Sequence, residues 1–292
     1  MNLNLMTIDP IAFEIGPLAV AWYGLIIVIG MIIAVYLTIK EGEKRGISED
    51  AVVDTAFWVL PLGILGARLY YVLFELDYYL ANPLQIFAIW EGGLAIYGGV
   101  IAGVLVILWR SKKDNFPFLL FADVLAPYTL LAQAIGRWGN FINQEAYGSE
   151  VSRQFLENLM LPEFIIEGMH INGAYHHPTF LYESLWSFLG VILLLVLRNR
   201  EKFLLRGETV AGYMIWYGIG RVFIEGLRTD SLYLGPFRIS QILSGVIILA
   251  GIAFIIYQRR FAYPKPEYYT DGMQYELEFE RKKQAYEKKN KK

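Results

Sequence analysis

The 292-residue chain is more apolar than an ordinary soluble protein, because 55% of its residues are hydrophobic and 18% are charged. Globular chains are usually slightly below half apolar and about a quarter charged. The formal net charge of -2 gives no reason to expect a nucleic-acid partner. The absence of cysteine excludes disulfides, thiolate metal ligands and a cysteine nucleophile, so any thiol chemistry would use a thiol of the partner.

Seven stretches approach the roughly 20 apolar residues that a helix needs to cross the hydrocarbon core. In chain order they lie near residues 18–39, 51–74, 92–109, 118–136, 178–197, 208–225 and 238–257. No Lys or Arg precedes Lys40 and the first stretch is long, which favours a span over a cleavable signal peptide. Pro127 interrupts the fourth stretch. We predict an all-α integral membrane protein of about seven transmembrane helices.

The loop cations predict the orientation of these helices, because cytoplasmic loops carry an excess of Lys and Arg. Loops of one parity hold only Arg137, Arg153 and Arg228. The other loops hold Lys40, Lys44, Arg45, Arg110, Lys112, Lys113, Arg198, Arg200, Lys202 and Arg206, and the basic tail follows on the same side. The N-terminus is therefore expected outside and the C-terminus in the cytoplasm.

Two domains are expected from this pattern. Residues 1–257 would form the membrane domain, with a small external head at about 141–177 between the fourth and fifth spans. Residues 258–292 would form a charged cytoplasmic tail, in which 274–289 favours a surface helix.

Charged side chains inside the spans gather at their predicted outer ends. A charge near the bilayer centre costs at least about 2.5 kcal/mol, so each one suggests a function. Arginines near helix ends can also serve as interfacial anchors, an interpretation open for Arg68 and Arg238, and Arg221 and Glu225 at i, i+4 can pair structurally. The arginine fork fits phosphate oxygens, so the set indicates an anionic lipid headgroup. Its members are Arg68, Arg137, Glu183, Arg221, Glu225 and Arg238.

The run Gly136-Arg-Trp-Gly-Asn-Phe-Ile-Asn-Gln-Glu-Ala-Tyr-Gly148 is too polar for a lipid-facing helix. Arg137, Asn140 and Asn143 recur every third residue, which suits one helical face, although a capped helix end followed by a turn is the alternative. The run resembles the signature of the prolipoprotein diacylglyceryl transferases, a bacterial membrane enzyme family, at every fixed position. The resemblance continues to about Tyr257 through the segments that begin at Trp22, Gly66, Gly92, His177 and Gly220.

This resemblance implies a seven-span fold in the bacterial plasma membrane, with an active site open to the outer leaflet. The implied substrates are phosphatidylglycerol and a preprolipoprotein whose signal peptide ends in a lipobox cysteine. The implied products are a diacylglyceryl thioether and glycerol phosphate. No cofactor and no metal are expected.

The resemblance also implies site residues. Arg137 matches the arginine that binds phosphatidylglycerol, and Arg221 matches a second essential arginine. Many members carry a histidine, often described as the base, where this chain has Tyr97, and some carry glutamine where it has Phe180. The catalytic candidates are therefore Arg137, Arg221, Tyr97 and Glu145. The binding candidates are Arg137, Asn140, Gly148, Tyr23, Glu225, Arg228 and His177.

The implied reaction favours a phosphate clamp over a strong base. A cysteine with a pKa near 8.5 is already a few per cent thiolate at neutral pH, which costs about 2 kcal/mol. Charge on the leaving phosphate is the larger problem, so Arg137 and Arg221 are predicted to supply most of the catalysis. A tyrosine with a pKa near 10 makes Tyr97 a secondary base, and His177 before Pro178 suits a structural role equally well.

Two other functions fit the residues without the resemblance. One is a transporter or channel for an anionic solute, although transporters often show two related halves with a site at mid-membrane. The other is a different phospholipid headgroup enzyme, because the residues alone do not distinguish C–O from P–O cleavage.

Overall fold

The computed structural model describes residues 9–16, 18–229, 231 and 233–271, and within them the chain is mostly helical. The helices of this described part are α1 (Trp22–Glu43), α2 (Glu49–Phe74), α3 (Leu76–Ala81), α4 (Ile96–Lys113), α5 (Phe118–Ile142), α6 (Arg153–Asn158), α7 (Glu163–Gly168), α8 (Thr179–Arg198), α9 (Glu208–Glu225) and α10 (Ile239–Arg260). Two 3₁₀ turns, Pro83–Phe87 and Ile89–Glu91, connect α3 to α4.

The strands are short and antiparallel. In chain order they are β1 (Ile11–Ile15), β2 (Leu18–Ala21), β3 (Glu150–Val151), β4 (His170–Ile171), β5 (Ala174–His176), β6 (Tyr233–Leu234) and β7 (Phe237–Arg238). Strands β1 and β2 pair before α1, β6 and β7 pair before α10, and the order β3-β5-β4 makes a three-stranded sheet between α5 and α8. They join helices and do not build a separate β domain.

Five helices of the described chain are long and apolar enough to cross a membrane, namely α1, α2, α5, α8 and α10. Their apolar side chains are widely exposed, as Ile32 on α1 (62%) and Leu249 on α10 (68%) illustrate, which is the surface that lipid would cover. The prediction of an all-α, multi-pass membrane protein is confirmed at this level. Helix α5 continues through Pro127, so the fourth predicted span is one helix that ends at Ile142.

The other two predicted spans are also helices. Helix α9 has the predicted bounds, and α4 begins four residues later than predicted, at Ile96. Both are 18 residues long, and both carry charged side chains near their ends, including Lys113 on α4 and Glu208 on α9. The count of seven spans stays a prediction, because charged ends shorten the apolar length of these two helices.

The chain forms two compact units, of which the smaller is Leu37–Phe121. Within it, α2 and α4 approach closely where Gly66 faces Gly98. A Cβ atom at Gly66 would lie 2.7 Å from the Gly98 carbonyl oxygen, so only glycine permits this approach.

Arg68 organises a loop of the smaller unit. It is buried, and its guanidinium donates to the carbonyl oxygens of Ile86 (2.9 Å) and Gly92 (2.8 Å), among others between residues 85 and 93. These hydrogen bonds give Arg68 a structural role in the loop, and its position relative to the bilayer interface stays a prediction.

The larger unit contains the residues before and after this segment. Helices α8 and α9 are locked by Trp186 and Trp216, whose rings stack at 4.3 Å and whose indole N–H groups each donate to the carbonyl of the other at 2.9 Å. Helix α9 begins after Gly207 at a left-handed φ of +95°. The carboxylate of Asp123 on α5 accepts from the backbone N–H of Gly207 and of Val210, so a distant side chain caps this helix.

Residues 143–178 of the larger unit form a small folded segment, called the head below. Its core packs Leu156 and Ile166 against Phe141 and Phe180, whose rings stack at 4.5 Å. Arg153 begins α6 and pairs with Glu157, Glu163 and Glu167. The head occupies the predicted position, and its external location stays a prediction.

The chain after α10 packs against the loop between α8 and α9. Tyr269 is fully buried, and its backbone N–H donates to Leu204 O at 2.8 Å while Arg198 lies 5.2 Å from its ring centre. The first part of the predicted tail is therefore folded. The predicted surface helix at 274–289 lies outside the described residues.

Candidate active site

The site begins where α5 ends. Arg137 and Asn140 lie one turn apart on this helix, and the chain then turns through Gln144 and Ala146, both with positive φ. Thr179 Oγ1 donates to Ala146 O at 2.6 Å, which fixes the turn. The turn brings Glu145 back so that Asn140 Nδ2 donates to its Oε1 at 2.8 Å. The polar signature thus forms a helix end and a fixed turn.

Glu183 joins the arginines of three elements. Its carboxylate pairs with Arg137 Nε from α5 and accepts from Arg221 Nη1 of α9 at 3.1 Å. Arg228, in the loop after α9, lies 3.9 Å from the same carboxylate. Arg221 also lies 2.7 Å from Glu225, as its i, i+4 spacing predicted. The predicted convergence of Arg137 and Arg221 is therefore present within the larger unit.

Gly148 holds the loop that carries Arg228. Its N–H donates to His177 O at 3.1 Å, and it forms an antiparallel bridge with Arg228. A Cβ atom at this position would lie 2.6 Å from the Cβ of His177 and 3.1 Å from Leu227 O, so a larger residue would displace the backbone at one of these two residues. Gly148 acts on the site through backbone packing.

The end of α9 is supported by Arg238, the last residue of β7, which directly precedes α10. Arg238 donates to the Glu225 carbonyl oxygen and, through Nε, to Tyr233 Oη at 3.0 Å. A cation at a helix C-terminus is favourable because the last carbonyls lack helical partners. Arg238 therefore holds the end of α9, and its interpretation as an interfacial anchor stays a prediction.

Tyr23 reaches the same region from the first turn of α1. Its ring packs against Gly139, where a Cβ atom would lie 3.4 Å from the Cα of Tyr23. Its hydroxyl interacts electrostatically with Glu145 and Arg137. The structure thus brings the tyrosine of the first predicted span to the polar signature.

An open cleft passes beside the ion pairs. Its empty volume, including the mouth, is about 290 Å³. Its walls include Gln133, Trp186, Tyr217, Arg137, Glu183 and Arg221. The guanidinium groups are therefore at the surface of a cleft between α5, α8 and α9, and Trp186 and Ile224 contribute apolar surface to its wall.

Two predicted site residues remain, His177 and Tyr97. Within the described residues, the ring of His177 contacts Phe155 edge-on at 5.0 Å and its Nδ1 lies 3.3 Å from Tyr182 Oη. Burial lowers the pKa of His177, so the imidazole is neutral at neutral pH. Its contacts are those of a packed residue at the start of α8. Tyr97 is the second residue of α4 in the smaller unit, is 40% exposed, and its predicted role as base stays a prediction.

Glu183 belongs to the charged set noted in the sequence, but the catalytic and binding candidates chosen from the sequence do not include it. The signal was present, because a carboxylate in an apolar helix is costly unless it is paired. Its pairing with arginines from two other helices is a tertiary property that the spacing does not reveal. Within the described residues, no group of His, Asp and Glu is suited to a metal ion.

The fold and the site define a multi-pass helical membrane protein with an arginine-lined cleft suited to an anionic group. The sequence profile described as prolipoprotein diacylglyceryl transferase matches residues 10–257. The phosphatidylglycerol–prolipoprotein diacylglyceryl transferase of Bacillus licheniformis is 54% identical over 260 residues, which cover 89% of this chain and 96% of the relative. The enzyme of the same name from Bacillus cereus is 52% identical over 261 residues, with the same coverage. The chain belongs to the prolipoprotein diacylglyceryl transferase family, and the resemblance is confirmed.

Proposed function

We propose that this protein transfers the diacylglyceryl group of phosphatidylglycerol to the thiol of the lipobox cysteine of a preprolipoprotein signal peptide and releases glycerol phosphate. The observation that carries the proposal is the pair Arg137 and Arg221, held by one carboxylate at the wall of one cleft. Family membership gives the chemistry, and relatives that are about half identical carry the name of this activity. The transporter alternative has no comparable support.

The proposed chemistry is a displacement at carbon. The cysteine sulfur forms a bond to the carbon of the diacylglyceryl group that is esterified to the phosphate. The bond between this carbon and the phosphate oxygen breaks. Its electron pair leaves on the phosphate oxygen, and the thiol proton passes to a base. Fixed donors directed at the developing charge contribute most to such a step. Arg137 and Arg221 are proposed as these donors, because each guanidinium has five N–H groups and Glu183 occupies one nitrogen of each.

The remaining residues are assigned by their contacts. Asn140 and Glu145 form one hydrogen-bonded pair next to Arg137 and are proposed to orient it and the lipid headgroup. Tyr23 is proposed to contact the same headgroup, and Glu225 to hold Arg221. Arg228, near Glu183, is proposed as a third cation for the phosphate. Tyr97 is proposed as the secondary base and His177 as a residue that fixes the start of α8.

The proposed topology has seven spans in the bacterial plasma membrane, with the N-terminus and the head outside and the site open to the outer leaflet. The loop cations support this orientation. Pairing supports α9 as a span, because Glu208 at one end lies 2.6 Å from Arg259 and Arg221 at the other end lies between Glu183 and Glu225. Paired charges lower the cost of placing this helix in lipid.

The test is incubation of the purified enzyme with phosphatidylglycerol and a lipobox peptide, followed by mass analysis of the peptide. We expect a diacylglyceryl increment on the cysteine and release of glycerol phosphate. A peptide with serine in place of cysteine, and vesicles of phosphatidylethanolamine alone, are the controls. Absence of the increment with phosphatidylglycerol, from an enzyme that remains folded in detergent, would reject the proposed function.

A further inference from the structure

The carboxylate of Glu183 has a position that pairing alone does not explain. It is buried, with 9% of its side chain exposed, yet its two oxygens face guanidinium groups that also line the cleft. A structural ion pair needs one partner, whereas Glu183 contacts Arg137 and Arg221 and lies near Arg228. Glu183 therefore ties Arg137 to Arg221 and lowers the net charge of the cluster that they form.

The charge of this cluster bears on product release. Glu183 and Glu225 place two carboxylates against Arg137 and Arg221, so loss of the Glu183 charge would make this cluster more positive by one charge. A phosphodiester such as phosphatidylglycerol carries a single negative charge. A phosphate monoester carries about -1.5 to -2 at pH 7, because its second pKa is about 6. The product of the transfer is thus more anionic than the substrate, and a more positive clamp would retain it.

We propose that Glu183 is the positioning residue of the phosphate clamp and that its negative charge limits the affinity of the clamp for the released glycerol phosphate. The proposal rests on the proposed function above. The carboxylate ties Arg137 and Arg221 to one point at the wall of the cleft, and it repels the second negative charge of the monoester. The diester, with a single charge, is affected less.

Two substitutions separate the charge of Glu183 from its geometry. Glu183→Gln keeps the length of the side chain and removes the charge, so inhibition by glycerol phosphate should become at least tenfold tighter while kcat falls. Glu183→Asp keeps the charge but is one methylene shorter and cannot contact both arginines as before. It should lower kcat and leave the inhibition constant for glycerol phosphate within about threefold of wild type.

The experiment measures transfer from phosphatidylglycerol to a lipobox peptide at increasing glycerol 1-phosphate, and binding of glycerol 1-phosphate by calorimetry without turnover. Glu157→Gln is the matched control, because Glu157 pairs with Arg153 in the head and this substitution removes the same charge as Glu183→Gln. It should leave kcat and the inhibition constant unchanged. Tighter glycerol phosphate binding in Glu183→Gln alone is the expected result.

An inhibition constant in Glu183→Gln that equals or exceeds the wild-type value would overturn the proposal, even if kcat falls. Thermal unfolding in the same detergent shows whether each variant is folded. If Glu183→Gln does not fold, Glu183→Asp provides the test. An inhibition constant for glycerol phosphate that changes in Glu183→Asp while its kcat equals that of the wild type would overturn the proposal. Failure of the wild-type enzyme to transfer at all would instead reject the proposed function.

Discussion

Replacing Arg221 by lysine keeps one positive charge and removes the planar fork. In the structure, Arg221 reaches Glu183 through Nη1 at 3.1 Å and Glu225 through Nη2 at 2.7 Å, so two nitrogens of one rigid group are used at once. A lysine ammonium is a single point charge on a flexible stem and cannot keep both contacts while it faces a phosphate. We therefore expect Arg221→Lys to lose one aligned donor to the leaving phosphate.

The loss of one such donor typically costs about 2.7–4 kcal/mol of transition-state stabilisation, which corresponds to a factor of about 10²–10³ in kcat. The assay is initial-rate transfer from phosphatidylglycerol vesicles to a lipobox peptide, quantified by mass. Arg153→Lys is the matched control, because Arg153 also pairs with several carboxylates but lies in the head. It should retain kcat within about threefold, since exposed pairs contribute about 0–1 kcal/mol. A wild-type rate in Arg221→Lys would refute the role of the fork.

Three further results are expected. Gly148→Ala should lower the free energy of unfolding by about 1–3 kcal/mol and reduce transfer, because its Cβ atom would overlap that of His177. Gly245→Ala, in open space within α10, should leave transfer unchanged and should not lower the free energy of unfolding. Thermal unfolding and transfer rates check both. Tyr97→Phe should reduce the rate at pH 7 by no more than about thirtyfold, the equivalent of 2 kcal/mol, and raising the pH to 8 should recover much of it through the larger thiolate fraction; complete loss at both pH values would make Tyr97 the principal catalyst. Burial lowers the pKa of His177, so the unfolded chain binds this proton more readily and stability should fall as the pH drops below about 6.5; an unfolding temperature independent of pH between 8 and 5.5 would contradict this.

The helical fold was predictable because apolar length is a local property of the sequence. Helix α9 has the predicted bounds, and α5 extends six residues past its predicted end at residue 136. The three-residue spacing of Arg137 and Asn140 indicated a continuing helix, and α5 does continue past both residues before it ends at Ile142. Asn140 and Glu145 form a hydrogen bond beside this last turn.

The sequence predicted the arginines of the site and the pair of Arg221 with Glu225, but not the carboxylate that joins Arg137 to Arg221. Arg137 and Arg221 meet as expected, since both close predicted spans at the same end. Arg68 has the same sequence character, yet it binds loop carbonyls in the smaller unit, because a buried guanidinium can donate to any set of well-placed oxygens. Glu183 carries one visible signal, its cost in an apolar helix, and its role depends on which helices pack beside it.

The head shows a further limit of the sequence. Its two short helices and three short strands lack a long apolar period, and its core depends on Phe141 and Phe180 from the flanking helices. Some family members carry glutamine where this chain has Phe180. In this chain the ring of Phe180 stacks on Phe141 and so contributes to the core of the head. A packing role for this residue follows from the structure.

The central claim is that Arg137 and Arg221 grip the same lipid phosphate, and a double-mutant cycle tests it most directly. Transfer rates from phosphatidylglycerol are measured for Arg137→Lys, Arg221→Lys and the double variant, and each is converted to a free energy. If both forks hold one phosphate, the double variant should lose at least about 1 kcal/mol less than the sum of the single losses, as coupled neighbours do. Losses that add within about 0.3 kcal/mol would show that the two arginines act on separate groups, and the shared clamp would be wrong.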